Sequence, residues 1–338
     1  MLSPKERLEK VLSKENTDRP PCICPGGMMN MVILDIMEEI GVKFPEAHMD
    51  GQMMADLATA VYEKRCFENY GVPFCMTVEA ESLGAKVDMG TDIYEPHVVE
   101  YAIESVKDWD EILKFQSEAR RMSATIEAIR LLKEKNSEVP IVGNITGPIS
   151  TASSVMEPVV FYKDLRKNNA KAHEFMGFVT DRLIDFANKQ IEAGADVIAI
   201  SDPSGTGEIL GPKLFEEFAV EYINRITDQV KKQNRGTIVH ICGQMKNVYR
   251  EVNKIRSDVL SFDSIVGIGE AKKNLADRLI MGNVSTYALE FGEPSKIEAL
   301  TLKCVGDGSD IISPACGLGM KSPIGNVRAM LGSLEKGI

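Results

Sequence analysis

The pattern of apolar and polar positions changes character near residue 140. From there on, short apolar runs alternate with amphipathic stretches of helix length. The runs 141–144, 196–201, 237–242, 259–263, 279–283 and 310–313 read as six strands, bounded by Gly, Pro, Asn or Asp. Strands that alternate with helices imply βαβ units and a parallel sheet. Two earlier apolar runs, 21–24 and 73–78, can supply the remaining strands. Eight strands permit closure into a barrel, although periodicity does not separate a barrel from an open sheet. The first residues open an amphipathic, charged helix. The expected organisation is one α/β domain over 1–338, with an N-terminal helical extension over about residues 1–20. No low-complexity linker or repeat of 20–50 residues interrupts it.

Composition narrows the function classes. A chain of 338 residues accommodates one (β/α)8 unit and an extension without a second core. The formal net charge of −11 argues against wholesale nucleic-acid binding, which needs a basic face. It remains compatible with a local basic pocket for a small anion. No apolar run approaches the ~18–20 residues of a membrane span, and the N-terminus is no apolar leader. Neither a membrane nor a nucleic acid is therefore an expected partner. Seven cysteines without a disulfide framework suit a reducing cytoplasm, where clustered Cys and His are better explained by metal binding or catalysis.

The chemistry gathers at strand ends. Asn144, Asp202, His240 with Cys242, Asp263, Asn283 and Cys316 all stand at or just past the C-terminal end of a run. In a barrel those ends converge on the face that holds the active site. A polar residue often ends a strand for structural reasons, so any single one proves little; six together are harder to dismiss. His240 and Cys242 are two apart, so a strand aims both at one point. With Cys316 they form a borderline-soft donor set that suits Zn2+ and leaves a fourth position for substrate. On spacing alone, a buried His and two inert Cys explain the pattern equally well. A zinc-bound thiol is deprotonated, and the thiolate is the nucleophile, so such a site suits alkyl transfer to sulfur better than hydrolysis.

Further candidates are weaker. Asp263 is a possible fourth ligand, as are Glu79 and Glu81 if their stretch is extended and aims both inward. Ion pairing or loop capping is the commoner role for such carboxylates. Asp202 either accepts from His240 or caps a turn. Asn144, Asp202 and Asn283 are candidate binding residues for a substrate or cofactor head group. The seventeen Met residues read mainly as core filling. Cys22 and Cys24 read as strand packing, since no His joins them. Cys66, Cys75 and Cys304 have no visible partners, and His173 lies in a charged, helical context.

Several segments together resemble a known family: GNITGP at 143–148, GADVIAISDP at 194–203 and CGLGMKSP at 316–323, followed by GNV at 325–327. FPEAH at 44–48 and GAKVDMG at 84–90 extend the match over nearly the whole chain. They resemble the uroporphyrinogen decarboxylase superfamily, and within it the methylcobamide:coenzyme M methyltransferases. The marker of that branch, a His-x-Cys pair and a distant Cys as zinc ligands, falls on His240, Cys242 and Cys316. The resemblance implies a (β/α)8 TIM barrel and one Zn2+ per chain on those three catalytic residues. It also implies methyl transfer from a corrinoid to a thiol such as coenzyme M. Cobalamin carriers hold cobalt through Asp-x-His-x-x-Gly, yet none of His48, His97, His173 and His240 has Asp two positions earlier. The methylated corrinoid is therefore expected on a partner protein, docking at an open, partly apolar mouth. Three alternatives remain: tetrahydrofolate or another acceptor, a non-catalytic corrinoid- or thiol-binding barrel, and the decarboxylase itself. Decarboxylases of the family carry an Arg-rich segment after the first strand, whereas this chain reads CICPGGMMN at 22–30 and has no Arg between Arg19 and Arg65.

Overall fold

The computed structural model describes residues 2–114, 120–233 and 235–336. Its strands, in chain order, are β1 (Tyr70–Val72), β2 (Lys86–Asp88), β3 (His97–Glu100), β4 (Ile141–Thr146), β5 (Val197–Ser201), β6 (Gly236–Ile241), β7 (Val259–Phe262) and β8 (Leu279–Met281). Strands β1, β4, β5, β6, β7 and β8 form one parallel sheet in that order. The ring closes through two irregular segments. Met281 and Val284 bridge Ile311 and Pro314, and Ile312 bridges Cys22. Ile23 N donates to Ile312 O at 2.8 Å, and Glu68 N, just before β1, donates to Cys22 O at 2.8 Å. Residues 21–24 and 311–314 thus fill the two remaining positions of an eight-fold α/β barrel.

The strand runs were legible because helices cover the outer face and side chains fill the inner one. Every residue of β4, β5, β7 and β8 is buried, so these strands read as continuous apolar runs without alternation. The run at 73–78 departs from expectation, because the strand lies ahead of it, at β1. Pro73 has no N–H to give to a ladder, and the chain beyond it turns into a short helix, Val78–Ser82. The run is apolar because Phe74, Cys75 and Val78 are buried. Beyond that helix, β2 and β3 form an antiparallel hairpin outside the barrel.

The expected N-terminal helix is Pro4–Leu12. Ser3 Oγ accepts from Glu6 N at 3.2 Å while Glu6 Oε2 accepts from Ser3 N at 2.9 Å, a reciprocal capping box. Leu8 and Val11 are buried, and Lys5 Nζ reaches Asp196 Oδ1 at 2.7 Å, just ahead of β5. The helix therefore lies at the N-terminal end of the barrel. Beside it, Glu68 takes Arg7 Nη1 at 2.8 Å and Arg19 Nη1 at 2.7 Å, and accepts from Cys22 N at 2.9 Å. No helix among the described residues is long and apolar enough to cross a membrane.

Candidate active site

Strand β6 delivers the first two functional side chains. His240 is opposite Ser201 of β5 on one side and Ser261 of β7 on the other. Cys242 follows immediately beyond the strand. Cys316 comes from the segment after the closing bridges at 311–314. The ligand atoms of His240, Cys242 and Cys316 all lie within 4.8 Å of one another. His240 Nε2 is 3.4 Å from Cys242 Sγ, so Nε2 is the nitrogen facing the cluster. The other nitrogen, Nδ1, is 2.9 Å from Ser261 Oγ. His240 is buried, whereas Cys242 and Cys316 are partly exposed residues, so the cysteines are the side of the cluster nearer solvent.

The donor set fits a zinc ion. Ligand bonds of about 2.0–2.3 Å give tetrahedral edges of roughly 3.5–3.8 Å, close to the His240–Cys242 separation. Burial lowers the His240 pKa to about 4, so the imidazole is neutral at pH 7 and its lone pair is free to bind. The hydrogen bond between the two thiols, aided by burial, raises the pKa of Cys242. The same bond lowers that of Cys316.

The other candidate residues are engaged elsewhere. Glu79 and Glu81 lie on the helix Val78–Ser82, not on an extended stretch, and their carboxylates diverge. Glu81 Oε2 takes Arg121 Nε at 2.7 Å, and Glu79 accepts from Thr146 N and Oγ1, each at 2.8 Å. Asp263 Oδ1 accepts from Ile265 N at 2.9 Å, and its carboxylate lies outside the three-residue cluster. Asp202 is fully buried and accepts from Ile149 N at 3.2 Å and Ser150 N at 2.7 Å, within the first turn of the helix Pro148–Val155. It caps that helix, and His240 Nδ1 turns to Ser261 instead. Asn144 Nδ2 donates to Ser201 Oγ at 3.2 Å, while Asn283 Nδ2 donates to Asp263 O and Val266 O, both at 2.8 Å.

One residue at the site escaped the sequence reading, and a second, Met28, was read there as core filling. Ser261 lies inside β7 opposite His240, and a candidate list drawn from strand ends did not reach it. Met28 lies on the loop after the first strand segment, and its Sδ is 3.4 Å from Cys316 Sγ. Nothing in the local sequence distinguishes it from the other methionines.

Comparison with known proteins agrees with this geometry. Residues 3–336 match the uroporphyrinogen decarboxylase (URO-D) family, and the chain belongs to it. The methylcobamide:CoM methyltransferase MtbA of Methanosarcina acetivorans is 31% identical over 97% of this chain and 96% of its own. The methylcobamide:CoM methyltransferase MtaA of Methanosarcina barkeri is 30% identical over 98% of this chain and 97% of its own. A solved methyltransferase from Methanosarcina mazei, 28% identical, superposes with a TM-score of 0.90 over 99% of both chains. This chain is accordingly a methyltransferase of the family, built on a TIM-type barrel.

Proposed function

We propose that the protein moves a methyl group from a methylated corrinoid, carried by a separate protein, onto a thiol, with coenzyme M as the acceptor and zinc at His240, Cys242 and Cys316. The observation that carries this reading is the convergence of one imidazole nitrogen and two thiol sulfurs within 4.8 Å at the C-terminal mouth of the barrel. A bound zinc ion would supply the Lewis acidity that keeps an acceptor thiol ionised near neutral pH. His240 enters as the neutral imidazole, with Nδ1–H held by Ser261. Cys242 and Cys316 would hold the ion as thiolates, and the partly exposed cysteine side would leave a position for the acceptor. In the transfer, the acceptor's sulfur forms the new S–C bond as the C–Co bond breaks, and cobalt keeps the electron pair as Co(I).

The surroundings support a large donor. Exposed apolar side chains stand on the connections that follow the strands: Val159 after β4, Ile209 after β5, Ile265 after β7, and Tyr287 with Phe291 after β8. Apolar surface of this kind around a site is what a docking protein covers. The decarboxylase reading lacks its clamp. Residues 22–30 carry no cation, Arg19 is bound to Glu68, and Arg121 is buried on Glu81 and Thr77.

The test is demethylation of methylcobalamin by purified protein with a panel of thiols, after measurement of bound metal. The expected result is one zinc per chain and thiol-dependent loss of methylcobalamin, fastest with coenzyme M. Absence of zinc from protein prepared without chelators would overturn the metal assignment. Zinc without thiol dependence would overturn the acceptor.

Ser261→Ala checks the support of the metal site. Outer hydrogen-bond partners of ligating histidines typically contribute about 10–100-fold in metal affinity. The variant is expected to bind zinc more weakly by that factor in competition with a chromophoric chelator. Unchanged affinity would show that Ser261 does not orient His240.

A further inference from the structure

We infer that Met28 is the residue that limits the size of the acceptor thiol; this rests on the function proposed above. The thioether is placed by a tightly packed loop, residues 25–30. Gly27 has φ +63°, and a Cβ there would sit 2.0 Å from Asn144 Oδ1, so the loop lies directly on the end of β4. Gly27 N donates to Pro73 O at 2.6 Å, which ties the loop to the chain after β1. On the other side, a Cβ on Gly317 would meet Met28 O at 2.6 Å. Leu318 N donates to Asn30 O at 2.9 Å, so the segment bearing Cys316 packs against the same loop.

Pinned from both sides, the loop lays Met28 Sδ 3.4 Å from Cys316 Sγ. Met28 is 8% exposed, whereas Cys242 and Cys316 remain partly open. An acceptor held against Cys316 therefore has the Met28 side chain as its neighbour on that side. That side chain is apolar and carries no N–H or O–H, so it sets size without recognising charge. It can accommodate a short carbon chain between the thiol and any head group, and it crowds a longer one. A methylene gained or lost in an apolar pocket typically changes discrimination by about 10–200-fold. Truncation at Met28 is therefore expected to move the length preference by at least the lower figure.

The experiment is calorimetric titration of the zinc-loaded protein with 2-mercaptoethanesulfonate and 4-mercaptobutanesulfonate, with zinc content measured on each sample. The wild type is expected to bind the two-carbon thiol more tightly. Met28→Ala should shift the ratio of the two dissociation constants toward the four-carbon thiol by about tenfold or more, at unchanged zinc content. Met28→Leu, of similar volume, should keep the wild-type ratio. Should Met28→Ala lose zinc or fail to fold, Met28→Val is the truncation to read, with a smaller shift in the same direction. An unchanged ratio in a zinc-loaded truncation variant, or a wild type indifferent to length, would overturn the role of Met28 and leave the proposed function standing. A zinc-loaded wild type that binds neither thiol would overturn both.

Discussion

Cys316→Ala is expected to lose its zinc and to lower thiol-dependent demethylation by about 1,000-fold or more, beyond the 10–100-fold typical of an outer partner. The reason is the donor count. His240 and Cys242 come from one strand and its first following residue, and Cys316 alone closes the set from the far end of the chain. Two donors leave a borderline-soft ion without the three-point hold of a catalytic zinc site. Stability should barely change. The Cys316 side chain is partly exposed, and removing one such sulfur is expected to cost less than about 1.5 kcal/mol. Metal analysis, a thermal melt and the demethylation rate read the three effects separately. Full zinc content and an unchanged rate would remove Cys316 from the site.

Glu68→Ala is expected to do the reverse, with a large loss of stability and no change in rate per folded molecule. Glu68 is 5% exposed and sits between two guanidinium groups, those of Arg7 at 2% and Arg19 at 8% side-chain exposure. Its Oε2 also holds Cys22 N at 2.9 Å, in the strand segment that closes the barrel. Removing it strands two buried cations and frees a barrel backbone group. Loss of one partner from a buried pair typically costs about 3–5 kcal/mol, which in a chain of this size lowers Tm by roughly 6–12 °C. Arg7 keeps Asp18 at 2.7 Å, so the low end of that range is the firmer expectation. The cluster lies at the opposite end of the barrel from His240, Cys242 and Cys316, where contributions are to stability. A shift of less than about 2 °C would mean that Asp18 and solvent satisfy both arginines without it.

The sequence revealed the site in proportion to how local its parts are. His240 lies on a strand and Cys242 one residue past its end, so a period of two was enough to bring them together. Cys316 was grouped with them from its place after the last strand, on the premise of a closed barrel that no local pattern encodes, and the family resemblance strengthened that grouping. Closure itself was the least visible part of the fold. The segments at 21–24 and 310–313 were both read as strands, but which strands they pair with is not written in their own periodicity; they complete the ring through isolated bridges. The misplaced strand at 73–78 has a related cause, since burial of a loop produces the same apolar run as burial of a strand. The acidic candidates, Glu79 and Glu81 as ligands and Asp202 as a partner of His240 or a binding residue, are engaged elsewhere for another reason. Asp202, Glu79 and Glu81 each answer an N-terminal helix turn, a strand-end hydrogen-bonding group or a buried arginine, and those demands are tertiary. Ser261 was omitted because it lies inside β7, away from the strand ends that supplied the candidates.

The irregular seam of the barrel has a consequence for how the protein is made. Cys316 leaves the ribosome after all eight strands, and it follows the bridges that seal the ring. A nascent chain that has released β6 already offers His240 and Cys242, but they make only half a claim on a metal ion. The third donor arrives with the last turn of the barrel wall. Under the proposed function, the full donor set thus exists only once the ring has closed, and a chain cut short before Cys316 would lack it.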